Sequence, residues 1–456
     1  MTRIVSTSPQ APSDVVTDVP ATTAADVAAA ADAARAAQRD WAATPAPQRS
    51  AALTAFADAV SRSAQDLAAL VVREVGKPVT EAVGEVARTV AILRYYAQQA
   101  LDPLGETYPP ATGGLSFTVR RPRGVAGLIT PWNFPLAIPV WKTAPALAFG
   151  NSVLVKPSPD ATGCALRLAE LAAGVLPDGL FTVLPGGAET GTALVDLADV
   201  VSFTGSGAVG RQVAVAAATR GIAAQCEMGG LSASVVLDDA DIAAVAKQIA
   251  YAAMGFAGQK CTATKRIIVA GDDRREAEFT DALRTELDAL ICGDPADAGV
   301  AVGPVISAAA AEKVRDAVAE AEAAGGKAIT RATDGGPGHF VVPTIVTGLE
   351  PDDPLNTDEV FGPVCTLTAV PDTATALALA DATSYGMATS LYTHRLDVVT
   401  SYVETTRTGM VKVNAPTTGV DFHLPFGGEK ESGYGGREQG KAARDFYTSL
   451  RTVQIS

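Results

Sequence analysis

Val200-Val201-Ser202-Phe203-Thr204-Gly205-Ser206-Gly207-Ala208-Val209-Gly210 runs from a short apolar segment directly into the pattern Gly-x-Gly-x-x-Gly. A short apolar run stopped by glycine reads as a buried strand, and the Ala- and Val-rich stretch beyond it reads as a helix. Two readings fit the glycines. In one they are a dinucleotide fingerprint, with phosphate at the helix N–H groups and Glu227 on the ribose hydroxyls. In the other they only make a tight strand-to-helix turn.

The same alternation extends on both sides. The runs Val125–Thr130, Ser152–Val155, Phe181–Leu184 and Ile222–Gln225 are separated by helical stretches. This rhythm predicts a mostly parallel sheet covered on both faces. A second series begins after about residue 235 and includes Arg266–Ala270, Cys365–Val370, Ala388–Thr393 and Met410–Val413. Two docked α/β lobes with a cleft between them are expected. Upstream, Thr23-Ala24-Ala25-Asp26 reads as a capping box opening a long helix, followed by helices over 48–73 and 80–101. The alternation from Leu115 to Arg120 predicts a strand, as does the tail Thr448–Ser456. Residues 1–20, rich in Pro, Ser and Thr, are expected to be an irregular lead-in.

At 456 residues, with 48% hydrophobic and 19% charged, the chain has the balance of a well-packed enzyme of two or three domains. Its 36 basic and 50 acidic residues leave a net charge of −14, which disfavours nucleic-acid or membrane partners. The five cysteines (Cys164, Cys226, Cys261, Cys292 and Cys365) are scattered, and the three histidines stand at no metal spacing. A reducing compartment, the cytoplasm, and no metal site are expected. The start of the chain has no signal-peptide run. Asp238-Asp239-Ala240-Asp241 reads as a helix N-terminus rather than a cation site.

Several stretches carry possible chemistry. In Gly258-Gln259-Lys260-Cys261, a thiol beside a lysine fits a nucleophile of lowered pKa, or an inert core cysteine. In Pro131-Trp132-Asn133-Phe134-Pro135, Asn133 can aim its amide at a developing oxyanion, or satisfy a turn. In Glu227-Met228-Gly229-Gly230, the acid fits a general base or a turn carboxylate.

Taken together and in order, PWNFP (131–135), KPSP (156–159), FTGS (203–206), EMGG (227–230), GQKC (258–261), EVFGPV (359–364) and PFGGEKESG (425–433) resemble the aldehyde dehydrogenase superfamily. The resemblance implies an α/β fold: a Rossmann-like cofactor domain (1–101 and 122–231), a second α/β catalytic domain (232–424), oligomerisation strands (102–121 and 447–456) and a return segment (425–446). A homodimer or homotetramer acting on a small-molecule aldehyde follows. The resemblance makes Cys261 the nucleophile, Asn133 and the Cys261 N–H the oxyanion donors, and Glu227 the general base rather than a ribose ligand. It places Thr130, Pro131, Trp132, Lys156, Ser158, Pro159, Gly205, Ser206, Glu359 and Phe361 at the cofactor.

The cofactor implied is NADP or NAD. Pro159 stands where the family usually has Glu, which removes a repulsion for a 2′-phosphate and leans the reading to NADP. The stretches 131–147, 258–266 and 414–440 look like α-ketoglutarate semialdehyde (2,5-dioxovalerate) dehydrogenases. Trp141 occupies the site where succinate semialdehyde dehydrogenases usually carry Arg. Lys260 and His423 are the candidates to meet a substrate carboxylate. Other aldehydes, a CoA-acylating enzyme and a catalytically silent relative are the competing readings. The N-terminus is short for the family, so an initial strand or hairpin is expected to be missing.

Overall fold

The Thr23 hydroxyl accepts the Asp26 N–H at 3.2 Å, and the Asp26 carboxylate accepts the Thr23 N–H, so the predicted capping box starts helix Ala24–Ala43. In this computed structural model, which describes residues 2–331 and 338–456, three more helices follow: Ala46–Arg62, Ala64–Val75 and Val79–Gln99. The single helix expected over 48–73 is therefore two, separated at Ser63.

The first large sheet has the strand order Gly433–Tyr434, Ala223–Glu227, Val200–Thr204, Val125–Ile129, Ser152–Lys156, Phe181–Val183. All pairs are parallel except the short antiparallel edge at Gly433–Tyr434. Alternate residues of one strand serve opposite cores. Ala126 and Leu128 pack with helix Ala137–Ala148, while Val125 and Ile129 pack with residues of helices Ala24–Ala43 and Ala188–Leu197. Burial on both faces explains why these strands read as continuous apolar runs.

The second sheet has seven strands, in the order Lys327–Thr330, Thr344–Thr347, Val364–Val370, Thr264–Ala270, Ser232–Val236, Ala388–Tyr392, Met410–Val413. It is parallel except for its first pair. Asp241 caps helix Ile242–Met254, as its acidic run predicts. Strands Thr107–Tyr108, Leu115–Pro122 and Thr448–Ile455 form a separate antiparallel sheet with Leu115, Leu450 and Ile455 exposed.

Residues 3–20 correct the expected irregular lead-in and the expected missing hairpin. Arg3–Ser8 and Ala11–Pro20 pair as an antiparallel hairpin. The alternation is hidden because its buried positions include Ser6, Ser8 and Thr17. Ser6 and Thr17 donate to the fully buried Glu74 carboxylate at 2.7 and 3.2 Å, and the N–H groups of Gly163 and Cys164 donate to it at 2.7 Å. A strand that buries hydroxyls on an acid carries no apolar period.

Candidate active site

The C-terminal ends of the first sheet's strands open into a cleft of about 530 Å³. Thr130, Pro131, Trp132, Lys156, Ser158, Pro159, Gly205 and Ser206 all line it, with apolar walls from Ile129, Val195 and Val213. Ligands of open α/β sheets bind at such strand ends. The Thr130 and Thr204 hydroxyls are buried there without a hydrogen-bond partner among the described residues. Among the described residues, Lys156 Nζ donates only to the carbonyls of Pro157 and Gly186, at 2.6 and 3.1 Å, and burial lowers its pKa to about 8. Ser206 caps helix Gly207–Arg220 without using its hydroxyl on the helix. Unspent donors around an apolar slot fit the phosphates and rings of a nicotinamide dinucleotide.

The turn Pro131–Pro135 is a wall between two cavities. Trp132 faces the cleft, whereas Phe134 lines a second pocket of about 270 Å³. Asn133 is buried between them and donates from Nδ2 to the Gln259 carbonyl at 3.0 Å. Cys261, Lys260 and Trp141 line the second pocket, with Glu81, Arg88, Ile138 and Tyr251 among the rest of its wall.

The loop that presents Cys261 is strained and clamped. Phe256 and Ala257 have left-handed φ values of 54° and 52°, and Gly258 follows at 64°. A Cβ on Gly258 would lie 2.3 Å from the Gly362 carbonyl, so this position must be glycine. Gln259 donates to the carbonyls of Phe256 and Pro304, and its Oε1 accepts the Ile306 N–H at 2.9 Å. Lys265 Nζ donates to the carbonyls of Gly258 and Gly362, at 2.8 and 2.5 Å, which ties this loop to the EVFGPV loop.

Glu227 ends strand Ala223–Glu227 but does not line the cleft. Its Oε2 accepts the Gly428 N–H at 3.0 Å, and a Cβ on Gly427 would come within 2.5 Å of its Oε1. The PFGG glycines therefore let backbone approach a buried carboxylate. Burial, and then the charge of Glu438, hold the Glu227 pKa well above the usual carboxylate value. Glu438 is itself held by Lys142, Ser202 and the Trp141 indole N–H, the last at 2.6 Å.

Two expectations need correction. Lys260 does not lower the Cys261 pKa: it pairs with Glu81 at 2.8 Å, and burial, then Glu359 and Glu227, push the thiol up to about 12. His423 is exposed and is not part of the pocket wall. Glu359 and Phe361, expected at the cofactor, stand beside the cleft, Phe361 against Trp132, which lines it. Glu359 accepts the Gly230 N–H at 2.9 Å, and the Phe361 ring meets Trp132 edge-on with centroids 5.7 Å apart. Residues that the sequence did not single out are Arg88 and Gln439 on the second pocket and Asp160 in the cleft. A lone Arg inside a helix, or a lone Gln in a loop, carries no local signal.

The family model that matches, the aldehyde dehydrogenase family, spans residues 2–453. The chain belongs to the aldehyde dehydrogenase family. It is accordingly an NAD(P)-dependent oxidoreductase of aldehydes. It is similar to an alpha-ketoglutaric semialdehyde dehydrogenase of Bacillus subtilis, 36% identical over 97% of this chain and 92% of the relative. It is 38% identical to an alpha-ketoglutarate semialdehyde dehydrogenase of Haloferax volcanii, over 99% of this chain and 95% of the relative. An aminoacetaldehyde dehydrogenase of Pseudomonas aeruginosa is also 38% identical, over 99% and 92%. The solved NAD-dependent aldehyde dehydrogenase of Sinorhizobium meliloti superposes with a TM-score of 0.95 at 32% identity, over 100% of this chain and 91% of that one. Among the described residues of this dehydrogenase, no helix is long and apolar enough to cross a membrane.

Proposed function

We propose that this aldehyde dehydrogenase oxidises a short acidic aldehyde, α-ketoglutarate semialdehyde or a close analogue, through a thioester on Cys261. The observation that carries the chemistry is that Cys261 is the one cysteine of the five that lines either cavity. The two semialdehyde relatives support the substrate class.

Glu227 takes the Cys261 proton. A base with a raised pKa is matched to a thiol with a raised pKa. The thiolate forms a C–S bond to the carbonyl carbon, and the π pair moves onto oxygen. That oxyanion is met by the second N–H of the Asn133 amide and by the Cys261 N–H, which has no protein acceptor among the described residues. A nicotinamide held in the cleft would supply the two-electron acceptor for the hydride that leaves this carbon. The carbonyl re-forms as a thioester. Glu227 gives up the first proton to solvent and then deprotonates a water that attacks the thioester carbon; the C–S bond breaks, the departing Cys261 thiolate takes the water's proton back from Glu227, and the acid leaves and ionises in solvent.

Lys156, Ser206 and the N–H groups of helix Gly207–Arg220 would hold the dinucleotide phosphates. NADP is accepted alongside NAD, because no glutamate follows Ser158; Asp160 keeps one carboxylate in the cleft and limits the preference. The antiparallel sheet closed by strand Thr448–Ile455, with Leu450 and Ile455 exposed, is the surface for a homodimer or homotetramer. The test is reduced-cofactor formation with a panel of acidic, neutral and amino aldehydes, using each cofactor, with and without CoA. A best rate with an uncharged or amino aldehyde overturns the substrate class. A requirement for CoA overturns hydrolysis by Glu227.

A further inference from the structure

The pocket around Cys261 is walled by three charged side chains, Glu81, Arg88 and Lys260. Two of them cancel. Lys260 lies 2.8 Å from Glu81, which also accepts the Tyr251 hydroxyl at 2.9 Å. Arg88, on helix Val79–Gln99, is different. Its Nε is buried without a hydrogen-bond partner, and its guanidinium makes no hydrogen bond or ion pair among the described residues. The acids that bear on it are Glu85 and Asp421. Glu85 is already committed to Lys77 and to the N–H groups of Leu136 and Ala137, and Asp421 faces solvent. An arginine stays charged even when burial lowers its pKa, so a free cation faces this pocket.

A second group shares the wall. Gln439 is 1% exposed, and neither end of its amide has a hydrogen-bond partner among the described residues. Its backbone is held in the left-handed region at φ 60°. A buried amide with both ends unspent, on a strained residue at a cavity, is the kind of group a ligand satisfies.

We propose that Arg88 and Gln439 form the subsite for the far end of the substrate, Arg88 pairing with the carboxylate of an α-keto acid semialdehyde and the Gln439 amide donating to its keto oxygen. The proposal rests on the acidic-aldehyde reading above. It also gives a reason for rejecting amino aldehydes, since a free guanidinium repels an ammonium group. The competing role for Arg88 is to stabilise the Cys261 thiolate, whose charge it also feels.

The test compares kcat/KM for α-ketoglutarate semialdehyde and for pentanal, an aldehyde of the same length without a carboxylate. It uses wild type, Arg88→Met, Arg88→Lys and Gln439→Ala at saturating cofactor. For Arg88→Met the acid-to-neutral ratio should fall about 100-fold, mainly through KM, the scale of one lost charge-assisted pair. Arg88→Lys should recover part of it, and Gln439→Ala should lose about tenfold. Calorimetric titration with the product, 2-oxoglutarate, should show binding to wild type and about 100-fold weaker binding to Arg88→Met.

An equal fall on both aldehydes overturns the proposal in favour of a thiolate or structural role. An unchanged ratio in Arg88→Met, with wild type still preferring the acid, overturns the subsite and leaves the substrate class standing. A wild type that prefers pentanal overturns the substrate class and the subsite with it. If Arg88→Met does not fold, the ratios for Arg88→Lys and Gln439→Ala decide.

Discussion

The cleft and the pocket share one wall, the Pro131–Pro135 turn, yet they are built in different ways. The cleft takes its residues from consecutive strand ends of one parallel sheet, at 129–132, 156–160 and 203–206. Its working groups are hydroxyls, one lysine and helix N–H groups. The pocket draws on segments far apart in the chain, around residues 81–88, 134–141, 251–262, 418–426 and 439. Its working groups are a thiol, an unpaired guanidinium and an unspent amide. A sheet end recurs along the sequence and can be read from it. A pocket closed by several distant segments cannot.

This contrast predicts that pocket and cleft fail separately. Cys261→Ala should cost at least about 10⁴-fold in turnover while the dinucleotide dissociation constant stays within about threefold, because Cys261 is absent from the cleft. Stopped-flow assay and fluorescence titration check the two halves; a variant that keeps substantial turnover sinks the mechanism.

Glu227→Gln comes next. Loss of the base should slow turnover by roughly 10²–10³-fold, with acyl-enzyme visible by mass spectrometry. A large loss of cofactor affinity with normal saturated turnover would instead restore the ribose reading. The same variant has a stability signature. The folded-state pKa of Glu227 is raised, so its contribution is fully present below the unfolded pKa and is lost as pH rises through the folded value. Glutamine removes that loss. The melting temperature of Glu227→Gln relative to wild type should therefore climb with pH above about 4.5.

A smaller effect tests the thiol. With its pKa pushed up to about 12, Cys261 in the free enzyme should react with iodoacetamide about tenfold faster per pH unit from about pH 7 to 10, without a plateau. A plateau below about pH 8 would mean that Lys260 activates the thiol after all.

The smallest effect belongs to the cleft. Pro159→Glu should shift the ratio of catalytic efficiencies toward NAD by about tenfold, the cost of one unfavourable charge contact, and leave thioester hydrolysis unchanged. A wild type that strictly requires NAD contradicts the cofactor proposal directly.

The alternating apolar runs, the Thr23 capping box and the motif glycines were legible in the sequence because each depends on local backbone rules. Strand periodicity, helix capping and φ preference act over a few residues. The same rules left the first hairpin unread, because Ser6 and Thr17 are buried on Glu74, an acid about sixty residues away. They also gave the wrong sign for the Cys261 pKa. Adjacency suggested that Lys260 would lower it, but only the fold brings Glu81 onto Lys260 and sets Glu359 and Glu227 around the thiol. His423 lay near a motif in sequence and turned outward in space, while Arg88, with no motif around it, faces the pocket with no partner among the described residues. Local order thus settled the sheets and the chemical groups. Which charges cancel and which stay free was decided by tertiary structure, because burial and Coulomb energy depend on distance through space and not along the chain.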